Sequence, residues 1–164
     1  IWRGRTMSKC TIETHSATET LAAGKTIGSH LRAGAVLPLY GNLGTGKTVL
    51  ARGIARGLGI EEPVTSPSFT VVQEYECPDG RVFYHLDMYR IGEETDALTF
   101  GIDDYLCPAN GITVLEWAER IASLLPTSDS SAPAPAIISH PIHLEHTGPD
   151  TRRIHLPPEL ASLF

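Results

Sequence analysis

Apolar runs and segments of helical periodicity alternate along the chain, and this pattern defines its expected secondary structure. An S-x-x-E capping box at Ser16 and Glu19 predicts a helix that begins at Ala17, and Gly59 is placed to end a later helix. The predicted strands cover residues 10–13, 35–40, 69–75, 81–86 and 112–115, and the predicted helices cover residues 17–31, 47–58, 118–125 and one or two short segments within 92–106. Strands that alternate with helices predict a mostly parallel α/β core.

Two hairpins are expected to add antiparallel strands to this core. Turn residues at 78–80 join two of the predicted strands, and turn residues at 147–150 join two further apolar segments, residues 142–145 and 153–156. The chain shows no internal repeat. The pattern therefore predicts an α/β domain of three layers, with a mostly parallel central sheet and antiparallel hairpin additions.

The composition places all of these elements in a single domain. Residues 8–158 are expected to form it, preceded by a disordered extension over residues 1–7 and followed by a tail over residues 159–164. Proline, serine and alanine dominate residues 126–136, which favours a flexible loop insertion. A chain of 164 residues that is 41% hydrophobic and 20% charged is long enough to bury a core of its own.

Charge, apolar runs and cysteines exclude several classes of protein. A formal net charge of −6 argues against a protein that grips nucleic acid through a basic face of its own. No apolar run approaches the roughly 20 residues of a membrane span, so no membrane partner is expected. Cys10, Cys77 and Cys107 are odd in number and form no C-x-x-C motif, which indicates reduced thiols in a cytoplasmic protein.

A glycine-rich segment carries the clearest chemical signal. Its residues 41–48, GNLGTGKT, fit the G-x-x-x-x-G-K-[ST] pattern and lie between a predicted strand and a predicted helix. Glycines let backbone amides approach phosphate oxygens, and the following helix presents its positive end to the same charge. Lys47 can neutralise β- and γ-phosphates, and the Thr48 hydroxyl can ligate Mg²⁺. The expected nucleotide-binding residues are Gly41, Asn42, Leu43, Gly44, Thr45, Gly46, Lys47, Thr48 and Val49.

A phosphate-binding loop of this kind works with an acidic residue at the end of a neighbouring strand. Glu116 follows a buried apolar run and is one candidate, with stabilisation of a helix N-terminus as its alternative role. Asp87 is the other, with a cap or an ion pair to Arg90 as its alternative role. Strand alternation places His85 and Asp87 on one face. Trp117 is expected in the core, although it could pack near a nucleotide.

A hydroxyl-rich segment follows the helix that is predicted after this phosphate-binding loop (the P-loop, residues 41–48). Thr65, Ser66 and Thr70 within the sequence TSPSFT are candidates for a switch-like segment that senses a γ-phosphate. A plain turn with capping side chains is the alternative. On the residues alone, the plain turn is the favoured interpretation.

Three histidines close together raise the possibility of a metal site. In a strand, His143 would point away from His140 and His146, and Pro141 disfavours a helix that would bring the first two together. We therefore expect a solvated sheet edge here instead of a zinc site.

Four motifs in a fixed order make the chain resemble a known family. GNLGTGKT at residues 41–48, TSPSFT at 65–70, HLDMYR at 85–90 and VLEWAERI at 114–121 are similar to those of the TsaE (YjeE) family. That family is the P-loop ATPase of bacterial threonylcarbamoyladenosine modification of tRNA. The P-loop alone is unspecific, whereas H-x-D-x-Y-R together with L-E-W makes the resemblance strong.

The resemblance implies a function and a set of roles. The protein would bind ATP or ADP with Mg²⁺, hydrolyse ATP slowly by itself, and support TsaD-like and TsaB-like partners, with tRNA contacted only indirectly. Lys47, Asp87 and Glu116 would be the catalytic residues, with Thr48 and Glu116 serving the metal ion. Asp87 would help to position or activate water, and residues 65–70 would form the switch-like segment.

The sequence departs from the family pattern inside the P-loop. The family loop usually reads G-D-L-G-A-G-K-T, whereas Asn42 and Thr45 replace its aspartate and alanine here. Neither change removes the amide cradle. The segment around residues 14–18, which family members use near the adenine, carries no sharp motif in this chain.

Other nucleotide-binding proteins remain as alternatives. An N-K-x-D-like element for guanine is absent from the sequence, which disfavours a small GTPase, and the chain is too short for an ABC-type subunit. A small-molecule kinase, with Arg90 as a weak candidate for its lid arginine, is one rival hypothesis. A nucleotide sensor that does not hydrolyse ATP is the other.

Overall fold

The structure, a computed structural model, describes residues 10–126 and 138–164. Its strands are β1 (Thr11–Thr14), β2 (Ala35–Tyr40), β3 (Val72–Glu76), β4 (Val82–Asp87), β5 (Gly111–Glu116), β6 (Ile138–Ser139), β7 (Ile142–His146) and β8 (Arg152–His155). Its helices are α1 (Ala17–Gly28), α2 (Lys47–Gly57), α3 (Glu94–Thr99), α4 (Ile102–Tyr105) and α5 (Pro158–Ala161), with a 3₁₀ helix over Ala118–Leu124. The expected N-terminal extension and nearly all of the expected loop insertion lie outside the described residues.

The strands form one mixed sheet in the order β1-β8-β7-β2-β5-β4-β3, with β6 also paired to β2. Strand β2 runs parallel to β5, β6 and β7, and β4 runs parallel to β5. The pairs β3–β4, β7–β8 and β1–β8 are antiparallel. Both predicted hairpins are therefore present, and they extend a parallel centre on its two sides.

Helices cover both faces of the sheet, so the predicted three layers are present. Leu37, Val114 and Phe83 of the sheet pack in the core cluster that includes residues of α1 and α2. Val36 and Leu115 belong to a second cluster, beneath α3, α4 and the 3₁₀ helix. Alternation along each strand sends neighbouring residues to opposite faces, which explains why both faces are apolar. In the described residues, no helix is long and apolar enough to cross a membrane.

Helices α1 and α2 touch through glycines. A Cβ atom placed on Gly24 would lie 2.5 Å from the Leu50 carbonyl oxygen, and one on Gly28 would overlap the carbonyl oxygen of Ile54. Gly53 of α2 approaches the backbone of α1 just as closely. The absence of side chains at these positions allows the two backbones to pack directly, which fixes α1 against the helix that follows the P-loop.

Element boundaries differ from the sequence prediction at the end of α1 and at the start of β3. The capping box starts α1 as expected, with the Ser16 hydroxyl accepting from the Glu19 amide at 3.1 Å. The helix ends at Gly28 instead of near residue 31, because the Ser29 hydroxyl donates a hydrogen bond to the Thr26 carbonyl of the last turn, at 2.8 Å. Strand β3 begins three residues later than predicted, since Val71 adopts a left-handed conformation (φ 68°).

The C-terminal segment contributes to the core. Pro158–Ala161 form α5, which buries Leu160 and Ala161 in the α1–α2 cluster. Part of the segment that was predicted to be a tail, residues 159–164, therefore packs into the core.

Candidate functional site

The P-loop connects the end of β2 to the start of α2, as the sequence predicts. Gly44 and Gly46 adopt φ values of +80° and +96°, which favour glycine. The Thr45 hydroxyl donates to the Asn42 carbonyl at 2.8 Å and closes the turn. The first amides of α2 have no carbonyl partner within the helix. The loop therefore presents a helix N-terminus toward the carboxyl edge of the sheet, where an anion is favoured.

Lys47 lies inside this edge with its ammonium shielded from solvent. Its Nζ donates to the Gly41 carbonyl and lies 3.5 Å from the centre of the Trp117 ring. Burial lowers the pKa of Lys47, and nearby carboxylates, chiefly that of Glu119, oppose this effect. Trp117 is thus only partly buried and lines the site, which corrects the expectation of a purely core tryptophan.

Thr48, Glu116 and His85 form a chain of hydrogen bonds beside the P-loop. The Thr48 hydroxyl donates to Glu116 Oε1 at 2.8 Å, and His85 Nε2 lies 2.7 Å from Glu116 Oε2. Glu116 and His85 are buried, at 3% and 0% exposure. The two oxygen groups that the sequence assigns to a metal ion therefore meet in the structure.

Asp87 is held by hydroxyls of the switch-like segment. Its Oδ2 accepts from the Ser66 hydroxyl at 2.7 Å and from the Ser68 hydroxyl at 3.4 Å, and its Oδ1 accepts from the Tyr89 amide at 2.9 Å. Asp87 therefore caps the turn that follows β4, and not a helix, since the next helix begins at Glu94. This contact ties the switch-like segment to the end of β4.

The ion pair considered between Asp87 and Arg90 is wrong for the part of the chain that the structure describes. The Arg90 guanidinium instead lies 4.1 Å from the centre of the Phe69 ring, which is 81% exposed. Arg90 is consequently a cation at the site without a carboxylate partner among residues 10–126 and 138–164.

The switch-like candidates separate into two groups. Ser66 lines the site, whereas Thr65 and Thr70 are exposed and do not. Val71 follows this segment in a left-handed conformation that is unusual for a β-branched residue. Its amide donates to the Pro67 carbonyl at 2.7 Å, so the segment forms a tight turn before β3.

These groups surround a cavity of about 610 Å³, within the usual range for small-molecule sites. Of the predicted residues it is lined by Leu43, Gly44, Gly46, Lys47, Thr48, Val49, Ser66, Asp87 and Glu116; Gly41, Asn42 and Thr45 support the loop from behind. Ser68, Tyr89, Arg90, Trp117 and Arg152 also line the cavity. Amides and cations on one side and two carboxylates on the other suit a polyphosphate and a divalent cation.

Arg152 lines the cavity although no local feature of the sequence selects it. It begins β8, which reaches the site only because β7 pairs in parallel with β2. Its guanidinium donates to carbonyls of the preceding turn, including that of Thr151 at 3.1 Å. A pairing between strands so distant in the sequence leaves no local signal.

The oxygen donors of the site suit Mg²⁺ only in combination with a polyphosphate. No group of three or more His, Cys, Asp or Glu side chains in the described residues is arranged to hold a metal ion. Mg²⁺ usually takes one or two protein oxygens and completes its shell with water and substrate phosphates. The hydroxyl of Thr48 and the carboxylate of Glu116 supply such oxygens, so the residues fit an ion that binds together with a polyphosphate.

A small cleft of about 90 Å³ adjoins the P-loop on the side of α1. It is lined by Ser16, Ala17, Thr20, Gly46, Val49, Asp150 and Arg152. The segment around residues 14–18 therefore lies next to the site, which is where the resemblance places an adenine.

The three histidines of the C-terminal half have different surroundings. His140 is buried and lies 2.8 Å from Glu159, which corrects the expectation that it belongs to a solvated edge. His143 stacks on Tyr40, with ring centres 4.7 Å apart. His146 is exposed.

Known proteins are similar to this chain in sequence. The family model described as "Threonylcarbamoyl adenosine biosynthesis protein TsaE" matches residues 14–153. Proteins named tRNA threonylcarbamoyladenosine biosynthesis protein TsaE from Treponema pallidum and Bacillus subtilis are 41% and 42% identical over 112 and 109 residues. These alignments cover 68% and 66% of this chain and 80% and 66% of those proteins.

A solved structure is similar as well. The crystal structure of Bacillus subtilis YdiB superimposes with a TM-score of 0.71 at 31% identity, covering 93% of this chain and 89% of that one. This likeness confirms the predicted fold class, an α/β domain with a mostly parallel central sheet and antiparallel additions.

Proposed function

The chain belongs to the TsaE family of threonylcarbamoyl adenosine biosynthesis proteins, and from this premise we propose that it binds ATP with Mg²⁺ and hydrolyses it slowly. The observation that carries the proposal is the cavity at the carboxyl edge of the sheet, where Lys47, Thr48, Asp87 and Glu116 converge. Sequence motifs and geometry agree on these four residues. A role in the biosynthesis of threonylcarbamoyladenosine in tRNA is shared with the relatives named above.

The residues of the P-loop supply binding energy through charge. The amides at the start of α2 and the Lys47 ammonium stabilise the β- and γ-phosphates. Lys47 would leave the Gly41 carbonyl and the Trp117 ring to reach them. Lys47 is only 5% exposed, so less water screens its charge and its electrostatic contacts are stronger.

The two carboxylates take separate roles in this proposal. Thr48 and Glu116 would hold Mg²⁺, which would offset the charge that develops on the γ-phosphoryl group. Asp87 would orient the attacking water, because its Oδ2 already lies at the cavity wall under the hydroxyls of Ser66 and Ser68. The contact between Asp87 and residues 65–70 would break or form with the state of the bound nucleotide, so this segment would act as the switch.

We further propose that the ATP cycle acts on TsaB-like and TsaD-like partners. The formal net charge of −6 disfavours direct binding to the tRNA backbone, so tRNA would be reached through these proteins. Around the cavity, Leu43 and Phe69 are 78% and 81% exposed. Such apolar side chains at the mouth of a site are available to a partner that completes it, which would explain slow turnover in isolation.

The decisive experiment compares the wild type with Lys47→Ala, using Lys25→Ala on the exposed side of α1 as the matched control. Calorimetry with ATP and Mg²⁺ is expected to show binding to the wild type and the control and loss of at least about tenfold in affinity for Lys47→Ala. Phosphate release is then measured alone and with the TsaB–TsaD pair.

Each outcome separates the hypotheses. Phosphate release that the partners accelerate supports the proposal. Transfer of label to a small acceptor would identify a kinase, and tight binding without turnover in the presence of partners would identify a sensor. Equal nucleotide affinity in Lys47→Ala and the wild type would refute the P-loop assignment.

A further inference from the structure

We propose that His85 is a positioning residue that fixes the orientation of the Glu116 carboxylate, an inference that rests on the proposed function. In the register of β4 and β5, Asp87 lies beside Glu116 and His85 lies beside Val114. His85 is therefore diagonal to Glu116 on the same face of the sheet, and its Nε2 reaches Glu116 Oε2 at 2.7 Å. The imidazole is 0% exposed and does not line the cavity.

The unpaired atom of His85 identifies where its proton lies. Nδ1 is buried and has no hydrogen-bond partner among the described residues. A proton on Nδ1 would leave an orphan N–H in the core and would turn the bare Nε2 toward a carboxylate oxygen, and both arrangements are unfavourable. A ring that carries its proton on Nε2 donates to Glu116 and leaves only a bare acceptor, Nδ1, unpaired. The geometry thus assigns the Nε2–H tautomer.

The hydrogen bond between His85 and Glu116 gives the two carboxylate oxygens of Glu116 different roles. Oε2 of Glu116 is occupied by His85, so Oε1 remains for the Thr48 hydroxyl at 2.8 Å and for a divalent cation. The bond to His85 holds the carboxylate in this orientation at the oxygen that the cation would not use. Groups that orient a metal-binding carboxylate in this manner typically contribute about 10- to 100-fold to metal affinity or activity.

Two substitutions of His85 test this role. His85→Leu removes the donor, and His85→Gln retains an N–H near the position of Nε2. Relative to the wild type, His85→Leu is expected to need about 10- to 100-fold more Mg²⁺ for half-maximal ATP hydrolysis, and His85→Gln is expected to recover most of this loss. His140→Leu is the matched control, because His140 is also buried but pairs with Glu159 away from the cavity.

A second readout does not involve catalysis. Binding of ADP in the presence of EDTA depends on the P-loop amides and Lys47, so it is expected to change by less than about twofold in His85→Leu. In a Glu116→Gln background, His85→Leu is expected to cause no further loss of Mg²⁺ dependence, since His85 acts through Glu116. A full additional loss in the double variant would overturn the proposal.

Nitrogen NMR of the His85 imidazole tests the tautomer in the wild type, so the result stands even if His85→Leu fails to fold. A proton on Nε2 is expected, and a proton on Nδ1 would contradict the assignment. Failure of the wild type to bind nucleotide with Mg²⁺ would refute the proposed function. Wild-type Mg²⁺ dependence in a folded His85→Leu protein would refute only the role of His85.

Discussion

Asp87 and Glu116 are register partners at the ends of the parallel strands β4 and β5, yet their carboxylates are held by different parts of the chain. Asp87 accepts hydrogen bonds from the hydroxyls of Ser66 and Ser68 and from the backbone amide of Tyr89. Glu116 accepts a hydrogen bond from the Thr48 hydroxyl of α2 and lies 2.7 Å from the buried imidazole of His85. One carboxylate is therefore coupled to a loop and the other to the helix that follows the P-loop, so their substitution should have different consequences.

Removing the charge of Glu116 should affect metal use before it affects the fold. Glu116→Gln keeps the shape of the side chain but gives up one acceptor oxygen. ATP hydrolysis at a fixed low Mg²⁺ concentration is expected to fall by at least about tenfold. Steady-state phosphate release against Mg²⁺ concentration measures this effect, with Glu61→Gln, which is exposed and outside the cavity lining, as control. Equal Mg²⁺ profiles for Glu116→Gln and the wild type would remove Glu116 from the metal site.

Substitution of Asp87 should loosen the segment that it holds. Asp87→Asn retains an oxygen for the Tyr89 amide but weakens the contacts to Ser66 and Ser68. Amide hydrogen exchange across residues 65–71 is expected to accelerate, and ATP hydrolysis to fall by about a hundredfold or more, as for loss of a group that handles a proton. Asp103→Asn, on the surface of α4, is the control. Unchanged exchange in this segment would show that Asp87 does not hold it.

Tryptophan fluorescence should report the movement of Lys47. In the structure its ammonium lies 3.5 Å from the centre of the Trp117 ring, and phosphates would draw it away. The emission is therefore expected to change when ATP and Mg²⁺ are added. The second tryptophan, Trp2, serves as the internal background, since Trp117→Phe should abolish the change. A signal that persists in this variant would place its origin elsewhere.

The glycine contacts between α1 and α2 should tolerate no side chain. Gly28→Ala would drive a methyl group into the Ile54 carbonyl, and such overpacking typically costs about 1–3 kcal/mol of the free energy of unfolding. Urea denaturation measures this loss. Gly92→Ala is the control, because a Cβ there would meet its nearest neighbour, an oxygen of Asp96, at 3.6 Å. Equal midpoints for both variants would contradict the contact.

The cysteines should differ in their reactivity. Burial, and then the nearby Asp79 carboxylate, raises the pKa of the Cys77 thiol, so the reactive thiolate is scarce. Alkylation of the native protein followed by mass spectrometry is expected to label the exposed Cys107 first and Cys77 only at higher pH or after unfolding. The raised pKa also means that Cys77 stabilises the fold below the ordinary thiol pKa and loses that contribution as the pH rises through the raised value. Labelling of Cys77 as fast as Cys107 would argue against its burial.

Local chemistry explains why much of the site could be predicted from the sequence. The P-loop depends on glycines at Gly44 and Gly46 and on the helix that starts at Lys47, and all of these are signals within a few residues. Glu116 could be selected because an acidic residue ends an apolar strand. The parallel centre follows from the order of strands and helices.

The rest depends on contacts that only the folded chain creates. The pairing of His85 with Glu116 requires the register between β4 and β5, and the position of Arg152 requires β7 to dock on β2. Trp117 could not be placed because its left-handed backbone (φ 58°) turns the ring toward Lys47 instead of into the core. Periodicity carries no information about any of these relationships.

The direct backbone contact between α1 and α2 has a consequence for how the molecule can move. Two helices separated by side chains can slide past each other as those side chains change rotamer. At Gly24, Gly28 and Gly53 no side chain lies between the two backbones, so no rotamer change can accommodate such sliding. The helix pair must therefore shift as one rigid body or stay still. Any rearrangement during the proposed nucleotide cycle is therefore left to the loops at the carboxyl edge of the sheet.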